Sequence, residues 1–508
     1  MDTLTNLLYG LSVALEWQNL TWALFGVIVG NLIGVLPGIG VLTAISILLP
    51  LTYAMTPVAA LMMLAGIYYG AQYGGGVTSI LLNLPGTPTN VPTCLDGHPL
   101  ARQGRAGSAL FMLIFASFCG ALVGITIMML FAPLLSTVAY RFGPAEYFAM
   151  ITLGLVAGST VGKGSAVKSL AMMVLGLILG VVGTDINTGT PRFTFGVIEL
   201  TDGLSLIAVA MGLFGVANFL LDVNRIDAPQ RQHGPGFLSG MGSVRPHAGD
   251  VRQSRGAIAR GSLLGSGLGV LPGTGALTAS FMAYAIEKRI SRKPERFGNG
   301  AIEGVAAPEA ANNSAAQTAF VPTLVLGIPG DPVMALMLGA LILHGIQPGP
   351  QLMAAHADIF WGLIASFWIG NLLLVALNLP LLGMWARLLT VPYRHLYPFA
   401  LLCVAVGVYS TSASVLDVGM VLVFGVLGYG LRKLRFEPAP LMLGFVLGPM
   451  FEEYFRRALL ISRGDLTIFL VKPISAVFLG LTGLLIGWLI LSALRREQLG
   501  SPRPAQET

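Results

Sequence analysis

Long apolar stretches separated by short polar segments make up most of this chain. A bilayer core needs about 20 apolar residues per helix, and only 10% of the 508 residues are charged. Soluble proteins carry about 25% charged residues. Composition therefore excludes a soluble multidomain enzyme, a disordered chain and a disulfide scaffold, and it predicts an all-α polytopic membrane protein. The clearest candidate spans are 109–133, 145–160, 164–184, 203–221, 357–383, 396–411, 413–431 and 467–494.

Two further apolar stretches carry the same motif. Gly26–Ala44 reads GVIVGNLIGVLPGIGVLTA and Gly261–Ala279 reads GSLLGSGLGVLPGTGALTA, so eleven of nineteen positions are identical. After each stretch a second pair of segments matches: Leu84-Pro-Gly-Thr-Pro88 corresponds to Ile328-Pro-Gly-Asp-Pro332. These two matches indicate an internal duplication in which each half carries two Pro-Gly breaks.

The Pro-Gly breaks indicate a site rather than simple packing. Proline removes a backbone donor, and glycine weakens a helix by about 1 kcal/mol. In lipid, the freed backbone groups must find partners or line a polar cavity. Broken helices present N–H groups and a positive dipole to anions, and their carbonyl groups bind cations. A kinked packing helix is the alternative interpretation, but four breaks in two corresponding pairs favour the site.

A glycine stripe precedes the first break of each half. Gly26, Gly30 and Gly34 repeat every four residues. Gly261, Gly265 and Gly269 do the same. Small residues at this spacing let helices approach closely. We therefore predict that the stripes serve helix packing and bind no ligand.

Charge placement predicts the topology. Stretch 257–287 has basic residues on both flanks, which is typical of a hairpin with both ends on the cytoplasmic side. Its counterpart 20–52 has none and should enter from the opposite face. The fold class predicted is thus two inverted structural repeats with re-entrant helical hairpins broken at Pro-Gly motifs. The predicted organisation is an N-terminal segment 1–19, a first transmembrane repeat 20–221, a cytoplasmic polar linker 222–256, a second transmembrane repeat 257–494 and a charged C-terminal tail 495–508.

Several polar groups fall at membrane depth. Thr43 and Thr278 follow the two breaks at equivalent positions. A threonine in an apolar helix often bonds its own backbone, but the duplication favours a role in a shared cavity. Glu303 and Glu309 are candidate intramembrane acids for ion coupling or proton relay, or they lie at the interface.

No catalytic motif accompanies these groups. Gly158–Ser165 lacks the spacing of a phosphate loop, and the chain has no H-E-x-x-H and no C-x-x-C. We therefore expect no enzyme activity, no cofactor and no bound metal beyond a transported sodium ion. The basic residues cluster between apolar blocks, which suits the bilayer as a partner and not a nucleic acid.

Several long motifs are spread over nearly the whole chain. They are Gly34-Val-Leu-Pro-Gly-Ile-Gly40, Gly66-Ile-Tyr-Tyr-Gly-Ala-Gln-Tyr-Gly-Gly75, Thr78-Ser-Ile-Leu-Leu-Asn-Leu-Pro-Gly86, Asp96-Gly-His-Pro99, Leu271-Pro-Gly-Thr-Gly275, Glu303-Gly-Val-Ala-Ala-Pro-Glu-Ala-Ala-Asn-Asn313 and Leu326-Gly-Ile-Pro-Gly330. In these motifs the chain resembles the large membrane subunit of the tripartite tricarboxylate transporters. Gly76 stands where many members of that family have Ser.

The resemblance implies a secondary active transporter subunit in the bacterial inner membrane. Such a subunit works with a small multi-span membrane subunit and a periplasmic substrate-binding protein. It imports an organic acid, a tricarboxylate or dicarboxylate such as citrate, by symport with sodium or protons. An ion or organic-anion channel is the alternative, since paired re-entrant loops also build selectivity filters. A membrane-embedded enzyme is a second alternative, and it would need a catalytic pair such as Glu303 and Glu309.

The predicted site lies between the two breaks. Half-helix N-termini and hydroxyl or amide groups there would bind the substrate carboxylates, and backbone carbonyls with side-chain oxygens would bind the cation. The predicted substrate-binding residues are Gly38, Gly40, Thr43, Gly273, Gly275, Thr278, Asn312 and Asn313, and the predicted cation-binding residues are Asn83, Gly86, Thr87, Gly330 and Asp331.

Overall fold

The computed structural model is helical along almost all of its described length. Two stretches at the centre of the predicted breaks, 37–39 and 272–274, lie outside the described residues, as does most of the predicted linker. The structure describes residues 3–36, 40–160, 166–185, 188–222, 249–271, 275–388, 401–402, 405–406, 408–409 and 414–498.

The first half begins with a short helix that packs on a late one. In helix α1, a Cβ on Gly10 would collide with the backbone of Trp361, which shows how closely the two approach. A two-residue antiparallel pair, β1 (Gly183–Thr184) with β2 (Pro191–Arg192), lies in the loop after α8. The helices are α1 Thr3–Ala14, α2 Trp17–Val35, α3 Val41–Leu48, α4 Pro57–Leu82, α5 Val91–Leu100, α6 Ala106–Ala139, α7 Pro144–Thr160, α8 Ala166–Gly180, α9 Leu206–Ala210 and α10 Ala217–Asp222.

Short non-α segments connect several of these helices. A 3-10 turn at Pro88–Asn90 precedes α5, and a π-helical segment at Met211–Val216 joins α9 to α10. In the second half the helices are α11 Asp250–Val270, α12 Gly275–Ile290, α13 Glu303–Thr318, α14 Phe320–Leu326, α15 Pro332–Leu343, α16 Leu352–Ala355, α17 Ala357–Leu388, α18 Val415–Lys433, α19 Ala439–Ile461, α20 Ile468–Val471 and α21 Pro473–Gln498.

Several helices have the length and apolarity that a membrane span requires. Four described segments meet both criteria, and shorter apolar helices accompany them. The all-α polytopic class is therefore confirmed. The four segments are Trp17–Val35, Pro88–Ala139, Ala357–Leu381 and Val415–Lys433.

The helices are interrupted at every predicted break. α2 ends before the first motif and α3 begins after it, and α11 and α12 flank its counterpart in the same way. The later breaks also correspond: Asn83 after α4 and Gly327 after α14 both have left-handed backbones, with φ of 56° and 70°. Glycine adopts this conformation freely and asparagine tolerates it. The re-entrant path and the inverted orientation of the halves stay predictions.

The glycine stripes pack against carbonyl groups of a later helix. Gly26, Gly30 and Gly34 of α2 face the backbone of Met63, Ile67 and Ala71 in α4. In the second half, the stripe of α11 meets α13 in the same register, with Gly261, Gly265 and Gly269 facing Ala307, Ala311 and Ala315. A Cβ at any of these six glycines would overlap backbone atoms. The equal register supports the duplication.

Two predicted boundaries differ from the helix ends. Helix α11 starts at Asp250, inside the predicted linker 222–256, because Asp250 suits a helix N-terminus and forms a 2.9 Å ion pair with Arg105. Helix α21 runs to Gln498, past the predicted start of the tail 495–508, since Arg, Glu and Gln are good helix formers.

An ion-pair cluster joins the β1–β2 loop to α19. Arg192 donates a 2.6 Å bond to Glu452, and Arg456 donates a 2.9 Å bond to Asp185. The bond to Glu452 raises the pKa of the Arg192 guanidinium above its ordinary value.

Candidate functional site

A cavity of about 380 Å³ lies between the described flanks of the two breaks. This volume is in the range of about 300–1,000 Å³ that small-molecule sites occupy. Corresponding residues of the two halves line it: Gly40 and Gly275 from the first breaks, Thr87 and Asp331 from the later ones. Another cavity, of about 440 Å³, borders Arg457 near the ion-pair cluster and touches neither break.

Four helices begin at the cavity wall. α3, α12, α15 and α19 all contribute residues of their first turn, and the 3-10 turn that starts at Pro88 contributes a fifth segment. The first N–H groups of a helix have no partner inside the helix, and the macrodipole places about half a positive charge there. The N-termini of α3, α12 and α19 therefore favour an anion. At α15 the Asp331 carboxylate already caps the helix and accepts a bond from the Met334 N–H.

Arg432 adds a positive charge to the cavity wall. It lies in the last turn of α18 and donates a hydrogen bond to Asn218 of α10. Asn218 donates a 2.6 Å bond to the Thr43 hydroxyl, which itself donates a 2.8 Å bond to the Phe214 carbonyl. Thr43 thus bonds a distant element and not its own helix. This series of hydrogen bonds links the Arg432 guanidinium to Thr43 in the first turn of α3.

Acidic and neutral polar groups also line the cavity. Asp331 caps α15 by accepting a 2.9 Å bond from the Met334 N–H, and its other oxygen accepts a 3.1 Å bond from the Tyr68 hydroxyl. The Gln72 side-chain oxygen accepts bonds from Thr87 at 3.3 Å and from Thr89 at 2.5 Å. These groups offer both hydrogen-bond donors and hydrogen-bond acceptors to a polar ligand.

The structure brings part of the predicted substrate set together. Gly40, Thr43 and Gly275 line the cavity. Thr278 is half-buried and is not among the described lining residues. Gly38 and Gly273 lie outside the described residues. Asn312 and Asn313 are fully buried within α13, away from the cavity wall.

Only some of the predicted cation-binding residues line the cavity. Thr87 and Asp331 line the cavity, but the other three members do not. Asn83 is exposed and ends α4 in its left-handed conformation. Gly86 packs against the backbone of Gly34 and Gly75. Gly330 is buried beside the Gly269 carbonyl. The five residues do not line a common cavity among the described residues, and the cation site stays a prediction.

The two candidate acids have different surroundings. Glu303 begins α13, accepts a 2.6 Å bond from Gln253 and lies 4.0 Å from Arg296. Its neighbours are therefore polar and charged side chains. Glu309 is fully buried two turns farther along the same helix. Its carboxylate accepts bonds from Asn90, Thr93 and Ser117.

Sequence reasoning missed several lining residues. Asn218, Arg432 and Glu437 lie near the ends of helices distant in sequence from either break. Their only signal was a polar residue next to an apolar stretch, and most such residues face water. Tyr68 and Gln72 belonged to a stretch recognisably rich in hydrogen-bonding groups, but nothing local showed which of them face the cavity.

The fold and the cavity define a class: a helical membrane protein with a cavity lined by interrupted helices from both halves. The chain belongs to the tripartite tricarboxylate transporter TctA family, whose model matches residues 20–443.

Two relatives from Agrobacterium vitis are similar over long stretches. An uncharacterized 52.8 kDa protein of the TAR-I ttuC' 3' region is 50% identical over 479 residues, which cover 94% of this chain and 94% of that protein. An uncharacterized protein of the TAR-II ttuC' 3' region is 54% identical over 234 residues, covering 46% of this chain and 97% of that protein. No solved structure matches the chain.

Proposed function

We propose that this chain is the subunit that carries an organic acid across the bacterial inner membrane by secondary active symport. The substrate is a tricarboxylate or a dicarboxylate such as citrate, and the coupling ion is sodium or a proton. A periplasmic binding protein delivers the acid, and a small multi-span membrane subunit completes the complex. Family membership supports a transporter subunit with partner subunits, and the helix N-termini and Arg432 at the cavity support an anionic substrate.

The observation that carries the proposal is the convergence of the N-termini of α3, α12 and α19 and of Arg432 on one cavity. Carboxylates need N–H and guanidinium donors, and a guanidinium binds a carboxylate with two parallel hydrogen bonds. Because corresponding residues of both halves line the cavity, a relative movement of the halves would open it to either side.

Cation coupling follows from the charge of the cargo. Moving one elementary charge against the membrane potential costs about 2.3 kcal/mol per 100 mV. Accumulation of a multivalent organic anion in a negatively charged interior therefore needs an energy source, and co-transport of an excess of cations supplies it. This cost applies to any carrier of such a substrate, whichever ion is used.

Uptake into proteoliposomes tests the proposal. The complex is reconstituted with its binding protein, and labelled citrate and other organic acids are supplied under sodium or proton gradients. Accumulation against the substrate gradient that an ionophore abolishes would support symport. Flux that only equilibrates the acid would indicate a channel, and a chemically altered substrate would indicate an enzyme.

Arg432→Gln examines the site itself, with Lys433→Gln as its matched control. Lys433 is exposed on the same helix and lies near the ring of Tyr429. A hydrogen bond to a charged group contributes about 1.5–3 kcal/mol, so we expect Arg432→Gln to lower kcat/KM by about 10- to 100-fold and Lys433→Gln to leave it unchanged. Equal activity of both variants would contradict this assignment.

A further inference from the structure

Glu309 is a carboxyl group buried in the molecule without a basic partner. Its exposure is 0%, and no described Lys, Arg or His lies within ion-pair distance of it. Three neutral donors surround it: Asn90 at 2.9 Å, Thr93 at 2.5 Å and Ser117 at 3.4 Å. An unpaired carboxylate in such a place costs several kcal/mol, whereas a carboxylic acid costs far less.

Two amides with unpartnered oxygens lie on the same face of α13, although the Asn313 nitrogen donates a 3.0 Å bond to the Glu309 backbone carbonyl. Asn312 and Asn313 follow Glu309 by three and four residues, so they lie about one turn along that face. Both are fully buried. The amide oxygen and nitrogen of Asn312 and the oxygen of Asn313 have no hydrogen-bond partner. The O–H of a protonated Glu309 needs an acceptor, and these amide oxygens are unused acceptors close by in the helix.

One side chain links Glu309 to the cavity. Asn90 donates both to the Glu309 carboxylate and, at 3.3 Å, to the Gln72 carbonyl. Its own oxygen accepts a hydrogen bond from Thr87, which lines the cavity together with Thr89. A change of charge at Glu309 therefore alters the donors of Asn90 and, through them, the hydroxyl groups that face the substrate.

The neighbouring helices present few groups that titrate. Tyr73 of α4 and Cys94 of α5 are close enough to interact electrostatically with Glu309, and both are ordinarily neutral at neutral pH. Cys119 of α6 lies near Tyr73. The α11 helix presents its glycine stripe to α13, and in α12 Tyr284 bonds to the Asp96 carboxylate. Among the described residues around α13, no neighbouring group with a charge at neutral pH would therefore offset a change in the charge of Glu309.

We propose, on the basis of the symport described above, that Glu309 takes up the coupling proton. A proton from the outer solution bonds to a lone pair of the carboxylate and gives a neutral carboxylic acid. The same O–H bond breaks toward the cytoplasm, so one proton is carried per cycle and no electrons are transferred. Neutralisation lets α13 move relative to the 88–93 segment without separating a bare carboxylate from its donors.

The test compares accumulation with exchange in proteoliposomes that hold the complex and labelled citrate. Accumulation requires uptake and release of the proton, whereas exchange of internal for external citrate does not. We expect Glu309→Gln to lose accumulation by about 10-fold or more and to retain exchange, because a permanently neutral side chain cannot release a proton. Glu303→Gln, on the same helix, should retain both.

A second measurement needs no variant. Wild-type accumulation is driven either by a proton gradient at equal sodium or by a sodium gradient with the proton gradient collapsed by a protonophore. Accumulation under the first condition alone supports the proposal. Accumulation under the second overturns it, as does a Glu309→Gln variant that accumulates like wild type. Absence of any organic-acid transport by wild type would instead remove the proposed function.

Discussion

The Tyr68 hydroxyl donates a 3.1 Å hydrogen bond to the Asp331 carboxylate across the cavity wall. Tyr68 lies in α4 of the first half, and Asp331 caps α15 of the second. The bond therefore connects the two halves at the point where the substrate is proposed to bind. Any movement of one half past the other must break it or carry both partners together.

We expect Tyr68→Phe and Asp331→Asn to be non-additive. Asparagine is as good an N-cap as aspartate, so Asp331→Asn keeps the cap of α15 while it weakens the bond to Tyr68. Each single change should lower kcat/KM for uptake, and the double variant should do little more harm than the worse single one. Residues in direct contact show interaction energies of about 0.5–3 kcal/mol. A double-mutant cycle on initial uptake rates measures this; strict additivity would contradict a functional bond.

The duplicated threonines should differ in importance. Thr43 bonds to Phe214 and Asn218 and lines the cavity, whereas Thr278 does not line it. A buried neutral hydrogen bond contributes about 1 kcal/mol, and an orphaned partner costs about 1–3 kcal/mol. We therefore expect Thr43→Val to raise KM several-fold and Thr278→Val to change it little. Uptake kinetics of the two variants measure this difference in KM. Equal effects would contradict the prediction and show that the two halves use their threonines alike.

The glycine stripe of α11 should tolerate no side chain. A Cβ at Gly265 would lie 2.7 Å from the Ala311 Cα, whereas a Cβ at Gly267 has open space on the same helix. Overpacking costs about 1–3 kcal/mol, and Gly→Ala on an open helix face gains up to about 1 kcal/mol. The apparent melting temperature in detergent should fall for Gly265→Ala and hold or rise for Gly267→Ala. Equal stabilities would contradict the contact between α11 and α13.

Asp96 should be a stability residue. One carboxylate oxygen accepts 2.8 Å bonds from the N–H groups of Gly298, Gly300 and Ala301, and the other accepts a 2.9 Å bond from Tyr284. Because hydrogen bonds to charged groups contribute about 1.5–3 kcal/mol each, Asp96→Ala should cost several kcal/mol and expose the 298–301 loop to proteolysis. Tyr284→Phe removes a single bond and should cost only about 1–3 kcal/mol. A larger loss of thermal stability in Tyr284→Phe would contradict this ranking.

Much of the fold could be predicted because its signals are local. Apolar length predicts membrane helices, and proline with glycine interrupts a helix wherever it occurs. The breaks flanked by Val35 and Val41, and by Val270 and Gly275, lie where the motifs place them. The glycine stripes likewise pack as predicted, because a surface without side chains can approach another backbone.

The candidate site could be predicted only in part. The duplication correctly directs attention to the breaks, and Gly40, Thr43, Gly275, Thr87 and Asp331 do line one cavity. It also treats corresponding residues as equivalent, but Thr43 lines the cavity and Thr278 does not. A residue's local motif sets its backbone conformation, but the packing of other helices decides whether its side chain faces a cavity.

The sequence by itself therefore determined the membrane class, the interrupted helices and the close helix contacts, since each depends on a few adjacent residues. Only the tertiary structure decided that Arg432 and Asn218 reach the break at Thr43, and that Glu309 is enclosed by neutral donors from α5, α6 and the turn before α5. Those relationships join residues up to 219 positions apart, and the packing of apolar helices, which has no local signature, determines them.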